Sequence, residues 1–477
     1  MMTKHAGLFL ALFAALFCLP LSALAASAEH TLDGATLSPL WMIPFICMLL
    51  SLALMPLVTP HFWHNNFGKI ALFWAAAFAL PCAWFFGPDM AVYLVVHTML
   101  LEYIPFILLM FCLFTVSGGI CVTGDLAGSP RVNLAILVIG TAIASWMGTT
   151  GASMLLIRPL LRANAHRQYR VHSVIFFLFL VANIGGSLTP LGDPPLFLGF
   201  LKGVSFFWPL THLFTKTLVL SLILLGLYYA LDSWLFKKEG CPEAPRDETT
   251  PREKIRLKGK INLVLLVFVV GAVLLSGTWK PGTGFVVYDT EVELQNAVRD
   301  GCMVLIALVS LWLTKAEYRA MNNFNWEPIL EVAKLFVGIF ISMAPVVAIL
   351  QAGENGALAS VIALLSNEHG QPVNTMYFWL TGCLSFFLDN APTYLVIFNT
   401  AGGDPALLMG EWSDTLTAIS TGTVFFGAIT YIGNAPNFMV RSIAVNQGVP
   451  MPSFFAYMGW SISILFPCFA LLTLLFY

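Results

Sequence analysis

Apolar runs of about 20 residues, long enough to cross the hydrocarbon core of a bilayer as helices, recur along the chain. They lie near 37 to 58, 68 to 86, 90 to 121, 172 to 200, 208 to 233, 261 to 278, 296 to 314, 328 to 350, 414 to 440 and 453 to 477. Two more apolar segments, 132 to 161 and 373 to 400, are interrupted at their centres by polar residues with glycine or proline. Each is expected to be a re-entrant hairpin, with its tip at Gly148 to Ser153 or at Asp389 to Thr393. Irregular backbone at membrane depth survives only where it is buried in protein or lines a cavity, so such breaks point to a binding site.

The breaks repeat. Shifted by 240 residues, SWMGTTGASML (Ser145 to Leu155) lies over SFFLDNAPTYL (Ser385 to Leu395); shifted by 241, GSLTPLGDPP (Gly186 to Pro195) lies over GAITYIGNAP (Gly427 to Pro436). This pairs Thr149 with Asp389 and Asp193 with Asn434. A weaker match at an offset of 229 lays LEYIPFILLMFCLF, from Leu101, over LEVAKLFVGIFISM, from Leu330, and pairs Glu102 with Glu331.

Charge sets the orientation, because Lys and Arg accumulate in short cytoplasmic loops. With the mature N-terminus outside, Lys69, Arg131, Arg158, Arg162, Arg167, Arg170, Lys237 through Lys260, Lys315, Arg319 and Arg441 fall inside. The outer segments carry Asp289, Glu291 and Glu293 against Lys280, and then Glu354, Glu368, Asp404 and Glu411 with no Lys or Arg. Reading the interrupted segments as single spans would move Arg158 to Arg170 outside. The first half, 37 to 233, therefore begins outside and the second, 261 to 477, begins inside, with a cytoplasmic linker at 234 to 260 whose basic end favours anionic lipid. The expected fold is an all-α polytopic membrane protein. It is an inverted repeat of about 10 to 11 transmembrane helices with two re-entrant hairpins (132 to 161 and 373 to 400) and two broken helices (172 to 200 and 414 to 440).

Composition agrees: 58% of the 477 residues are hydrophobic and 10% charged, against about 25% charged in soluble domains. The formal net charge of −2 offers no basic face for nucleic acid. Seven of the nine cysteines (Cys47, Cys82, Cys112, Cys121, Cys302, Cys383 and Cys468) fall in apolar spans without metal-ligand spacing and read as small buried hydrophobes. At the start, Lys4 and His5 precede LFLALFAALFCLPLSALA, which reads as a signal peptide over 1 to 26, cleaved near Ala25; an uncleaved first helix is the alternative.

Asp193 and Asp389 are the acids inside the breaks. An unpaired carboxylate in hydrocarbon costs several kcal/mol unless it takes a cation or a proton, so both are candidate sodium ligands and proton acceptors. Hard oxygens from Asp, Asn and Thr suit sodium. The competing reading makes the acids, with Asn183, Asn390 and Asn434, helix caps. For Thr150, Ser153, Ser187, Thr189, Thr393 and Thr430 it is hydroxyl bonding to their own helix. Glu331 has Lys334 one turn on, as in a structural ion pair. Glu102 has no cation near it in sequence and shares an apolar span with His97, leaving proton coupling and burial by hydrogen bonding both open. No GxSxG or HExxH pattern occurs, so a hydrolase is not expected, and the inverted repeat argues against a channel.

SFFLDNAPTYL and NIGGSLTPLGDPP resemble the hairpin and broken-helix motifs of the ion transporter superfamily, and WEPILEVAKLFVGIFISMAP is similar to its citrate-transporter-like branch, near the NhaD-type sodium/proton antiporters. The resemblance implies a scaffold and a transport domain in each protomer of a homodimer, in a bacterial-type inner membrane. It implies hairpin-tip site residues Thr149, Thr150, Asp389, Asn390 and Thr393, and broken-helix site residues Asn183, Ser187, Thr189, Asp193, Thr430, Asn434 and Asn437. No cofactor is implied beyond sodium as coupling or transported ion. The tips Gly-Thr-Thr-Gly and Asp-Asn-Ala-Pro differ from the Ser-Asn-Thr tips of carboxylate-binding members. Sodium/proton antiport is therefore the expected activity, and sodium- or proton-coupled citrate or dicarboxylate transport is the alternative.

Overall fold

A computed structural model describes residues 32–242 and 254–477, residue 369 excepted. The expected signal peptide and the middle of the linker lie outside the described residues. Among the described residues ten helices are long and apolar enough to cross a membrane, and strands are confined to two short antiparallel pairs. The chain is an all-α polytopic membrane protein.

The first half contains α1 (Pro39–Val58), α2 (Pro60–Phe86) and α3 (Pro88–Ser117), then α4 (Pro130–Met147), α5 (Thr149–Ala163), α6 (Val171–Leu180), α7 (Pro194–Leu201) and α8 (Trp208–Lys238). The second contains α9 (Ile261–Thr278), α10 (Leu294–Leu313), α11 (Glu327–Gln351), α12 (Asn374–Phe387), α13 (Asn390–Thr400), α14 (Ser413–Phe426), α15 (Ala435–Asn446) and α16 (Phe454–Phe476). The hydropathy limits shift in several places: α2 starts at Pro60 rather than 68, so the polar stretch HFWHNNFGK is helical, α3 ends at Ser117 rather than 121, and α8 runs to Lys238, into the expected linker. Residues 121–123 pair with 256–258, so the end of the linker is tied to the loop after α3.

Both interrupted segments fold back on themselves, α4 packing on α5 and α12 on α13. Their turns are made differently. At Gly148, φ is +79°, a conformation that suits glycine because other residues carry a Cβ penalty there. At Asp389 the backbone is extended and the side chain caps the next helix, accepting from Ala391 N at 3.0 Å. Gly148 and Asp389 thus hold the same place, one residue before the second arm.

This corrects the register. The structural offset is 241 at the hairpins as well as at the broken helices. Thr149 N donates to Gly192 O (2.8 Å) and Asn390 N to Gly433 O (3.3 Å); Thr189 Oγ1 donates to Ser145 O and Thr430 Oγ1 to Phe386 O. Thr149 is therefore the counterpart of Asn390, not of Asp389. In α3 and α11, Phe106 stacks on Phe336, with ring centroids 4.8 Å apart and planes 22° apart, so the two helices of the weaker repeat meet each other.

Candidate functional site

Four helices begin at the breaks: α5 after Gly148, α7 after Asp193, α13 after Asp389 and α15 after Asn434. Proline in the first turn of α7 and of α15 suits a helix start, where its missing N–H would be unpartnered anyway. Close backbone approach holds each break shut. A Cβ on Gly433 would come 2.8 Å from Gly427 O, and one on Gly192 would collide with Gly186 O.

Asp193 stands at the N-cap position of α7 but caps nothing. Its carboxylate is 1% exposed and collects neutral donors from three other interrupted elements. Thr149 Oγ1 donates to Oδ1 at 3.2 Å, Asn434 Nδ2 to Oδ1 at 2.9 Å and Asn390 Nδ2 to Oδ2 at 2.7 Å. Among the described residues no Lys, Arg or His pairs with it. Asn390 Oδ1, on the amide that reaches Asp193, is buried with no hydrogen-bond partner among the described residues.

Behind this lies a ladder of amides that repairs the broken backbone. Asn434 Nδ2 also reaches Asn183 Oδ1 (3.2 Å) and Ala182 O (3.3 Å). Asn183 Nδ2 donates to Asn437 Oδ1 (2.7 Å) and Leu178 O (2.8 Å). Asn437 Nδ2 donates to Gly427 O (2.7 Å) and Thr430 O (2.8 Å). Carbonyls freed by a helix break need such partners where water is absent.

The structure thus joins Thr149, Asn183, Asp193, Asn390, Asn434 and Asn437 in one network. Thr150 lines the cavity beside it. The remaining candidates are turned elsewhere. Ser187 bonds Ile184 O (2.9 Å) and Thr217 Oγ1 (2.7 Å). Thr189 and Thr430 fasten each break to its hairpin, and Thr393 bonds back to Asp389 O (3.0 Å). Asp389 acts as a cap one residue from Asn390 and supplies no oxygen to the Asp193 network.

The glutamates find partners, or lack them, in ways their sequence neighbours do not show, and the Glu331–Lys334 pair is overturned. Glu102 has a cation: Lys202 Nζ lies 2.5 Å from its Oε1, brought there from a position 100 residues away. Lys334 sits over the ring of Phe67, 5.3 Å from its centroid, and forms no ion pair with Glu331 among the described residues.

A cavity of about 50 Å³ reaches Asp193. Leu113, Ile329 and Val332 of α3 and α11 face Gly148, Thr150, Asp193 and Met439 across it. Among the described residues, none of its lining side chains is Lys, Arg or His. Its lining takes in the last turns of α3 and the first turn of α11, next to Thr115, whose carbonyl accepts from Arg319 Nη1 at 2.7 Å.

Residues 34–477 match a family described as "Putative citrate transport". The chain belongs to that family. It is 24% identical over 330 residues to a 46 kDa membrane protein of Mycobacterium leprae, covering 68% of this chain and 72% of that one. It is likewise 24% identical over 329 residues to uncharacterized transporters of Mycobacterium bovis and Mycobacterium tuberculosis, with the same coverage of 68% and 72%. This family member is a multi-pass membrane transporter, not an enzyme.

One buried cluster was not anticipated from the sequence. Asp232 on α8 takes Arg167 Nη1 (2.5 Å), His172 Nε2 (2.9 Å), Asn133 Nδ2 (3.0 Å) and Tyr228 OH (3.1 Å). It binds the base of the first hairpin to α6 and α8. The only hint in sequence was an acid inside an apolar span, at Asp232.

Proposed function

We propose that this transporter exchanges sodium for protons by alternating access, with the Asp193 carboxylate holding either a proton or a cation. The observation that carries the reading is an acid buried where the halves meet, with neutral donors only and an unpartnered amide oxygen beside it. A carboxylate, an amide oxygen and hydroxyls form a hard-oxygen donor set suited to sodium. An entering cation replaces amide N–H donors by rotation of Asn390 and Asn434, and a proton on Asp193 removes the charge that holds the cation. One site with two mutually exclusive occupants is sufficient for antiport.

The cavity supports an ion over an organic anion. Small-molecule pockets hold about 300 Å³ or more, and the space here takes a few waters. Citrate would also meet Asp193 with no cationic side chain lining the cavity.

Sodium- or proton-coupled citrate or dicarboxylate transport is the second reading. It is favoured by the four helix N-termini around the site, whose dipoles attract anions, and by the family description. In either case we place the protein in a bacterial inner membrane as a homodimer. Proteoliposomes loaded with a pH-sensitive dye separate the two: a proton signal on adding sodium or lithium without citrate supports exchange, and a response that requires citrate supports the second.

A further inference from the structure

The cavity beside Asp193 is lined by the last turns of α3 and the first turn of α11, and alternating access needs a closure at the opposite ends of these helices. Side chains of the interrupted elements meet those of α3 and α11 along one seam. On the cavity side the seam is lined by Leu113 and Val332 and crossed by apolar contacts of Phe114, Met154 and Ile329 and by one neutral hydrogen bond, Ser117 Oγ to Met147 O at 3.3 Å, with no ion pair among the described residues. On the opposite side two bonds cross it: Lys202 Nζ to Glu102 Oε1 at 2.5 Å and Gln351 Nε2 to Asn399 Oδ1 at 3.0 Å.

Glu102 stands in a one-turn π-helix, Met99–Tyr103, inside α3. Such bulges concentrate at functional positions. Lys202 caps α7, whose first residue follows Asp193. A helix of 8 residues is about 12 Å long, so one short rod joins the acid to the lysine. The pseudo-symmetry gives the same location independently. At the sequence offset of 229, Pro328, Ile329 and Val332 correspond to Met99, Leu100 and Tyr103, the turn that carries Glu102 and follows Thr98. Pro328, Ile329 and Val332 all line the cavity. Thr98, buried at 6% exposure, and Glu102 therefore stand at or beside the turn where the mirror-image cavity would be.

We propose that the Glu102–Lys202 pair is the outer gate of the transport path, closed here and broken when Asp193 faces the other side. The assignment rests on the alternating-access reading and not on which ion is carried. The lysine moves with α7 while the glutamate stays on α3. Opening separates the charges, and the Gln351–Asn399 bond beside them parts with them.

The test is labelling of Thr98→Cys in the full chain by a membrane-impermeant maleimide added to the outside of right-side-out vesicles, read above the background of the native cysteines. Glu102→Gln and Lys202→Gln should each raise the labelling rate about two- to fivefold, the range for a partly exposed ion pair. The exchanged pair E102K/K202E should return it toward the parent rate. Unchanged labelling in both single variants, or equally raised labelling in the exchanged pair, overturns the gate. Because labelling needs no transported ion, a parent protein that moves no sodium would count against the antiport reading while leaving the gate result readable.

Discussion

Asn390, at the tip of the second hairpin, donates its amide to Asp193 Oδ2 at 2.7 Å, across 197 residues of chain. The only acid in the network belongs to one half, and its tightest donor to the other. Movement of either half alters the hydrogen bonding of the same carboxylate.

Asp193→Asn should therefore abolish coupled ion movement while leaving a folded protein. Each charge-assisted hydrogen bond that the carboxylate makes is worth about 1.5–3 kcal/mol, so its neutralisation should slow proteoliposome exchange roughly 100-fold or more. Exchange at the parent rate would refute the shared-carboxylate mechanism.

Asp389→Asn should do much less. Asp389 caps α13 through Ala391 N, and Asn caps about as well as Asp. Asp389→Ala should instead lower thermal stability by about 1 kcal/mol. Equal loss of exchange in Asp389→Asn and Asp193→Asn would show that both acids bind the ion.

Asn390→Ala removes both the donor to Asp193 and the unpartnered oxygen. The sodium concentration for half-maximal exchange should rise about tenfold, with a smaller effect on the maximal rate. A fall in maximal rate at unchanged half-saturation would count against ligation by Asn390.

Asp232→Asn should destabilise the protein by about 3–5 kcal/mol, because it leaves Arg167 buried without its closest counter-charge. Melting in detergent reads this directly; a melting point within a degree or two of the parent would assign the cluster no structural role.

The orientation predicts that single cysteines at Ala165 and Glu368, both exposed, label from opposite membrane faces. Labelling of both from one side would overturn the charge-derived topology.

The helices and their breaks were legible because length, hydropathy and Gly or Pro punctuation are local signals. The hairpin register was not. A glycine at positive φ and a capping aspartate end a helix by different means, so matching letters set Thr149 against Asp389, while the backbone sets Gly148 there. Thr189 and Thr430 looked like ligands for the same reason: sequence shows a hydroxyl near a break but not which carbonyl it finds. The pairs Glu102–Lys202 and Arg167–Asp232 were illegible because their partners lie 100 and 65 residues apart.

Asp193 and Asn434 are counterparts, and Asn434 Nδ2 donates to Asp193 Oδ1 at 2.9 Å, so the pseudo-two-fold axis passes between them. Two identical subunits related by a true two-fold must place the same residue on both sides of it. Asp on both sides would press two carboxylates together; Asn on both would leave no charge. A lone acid facing an amide across the axis is open only to halves that differ in sequence. The divergence of the two halves is thus a chemical requirement of this centre, and one polypeptide that carries both meets it without sorting unlike partners.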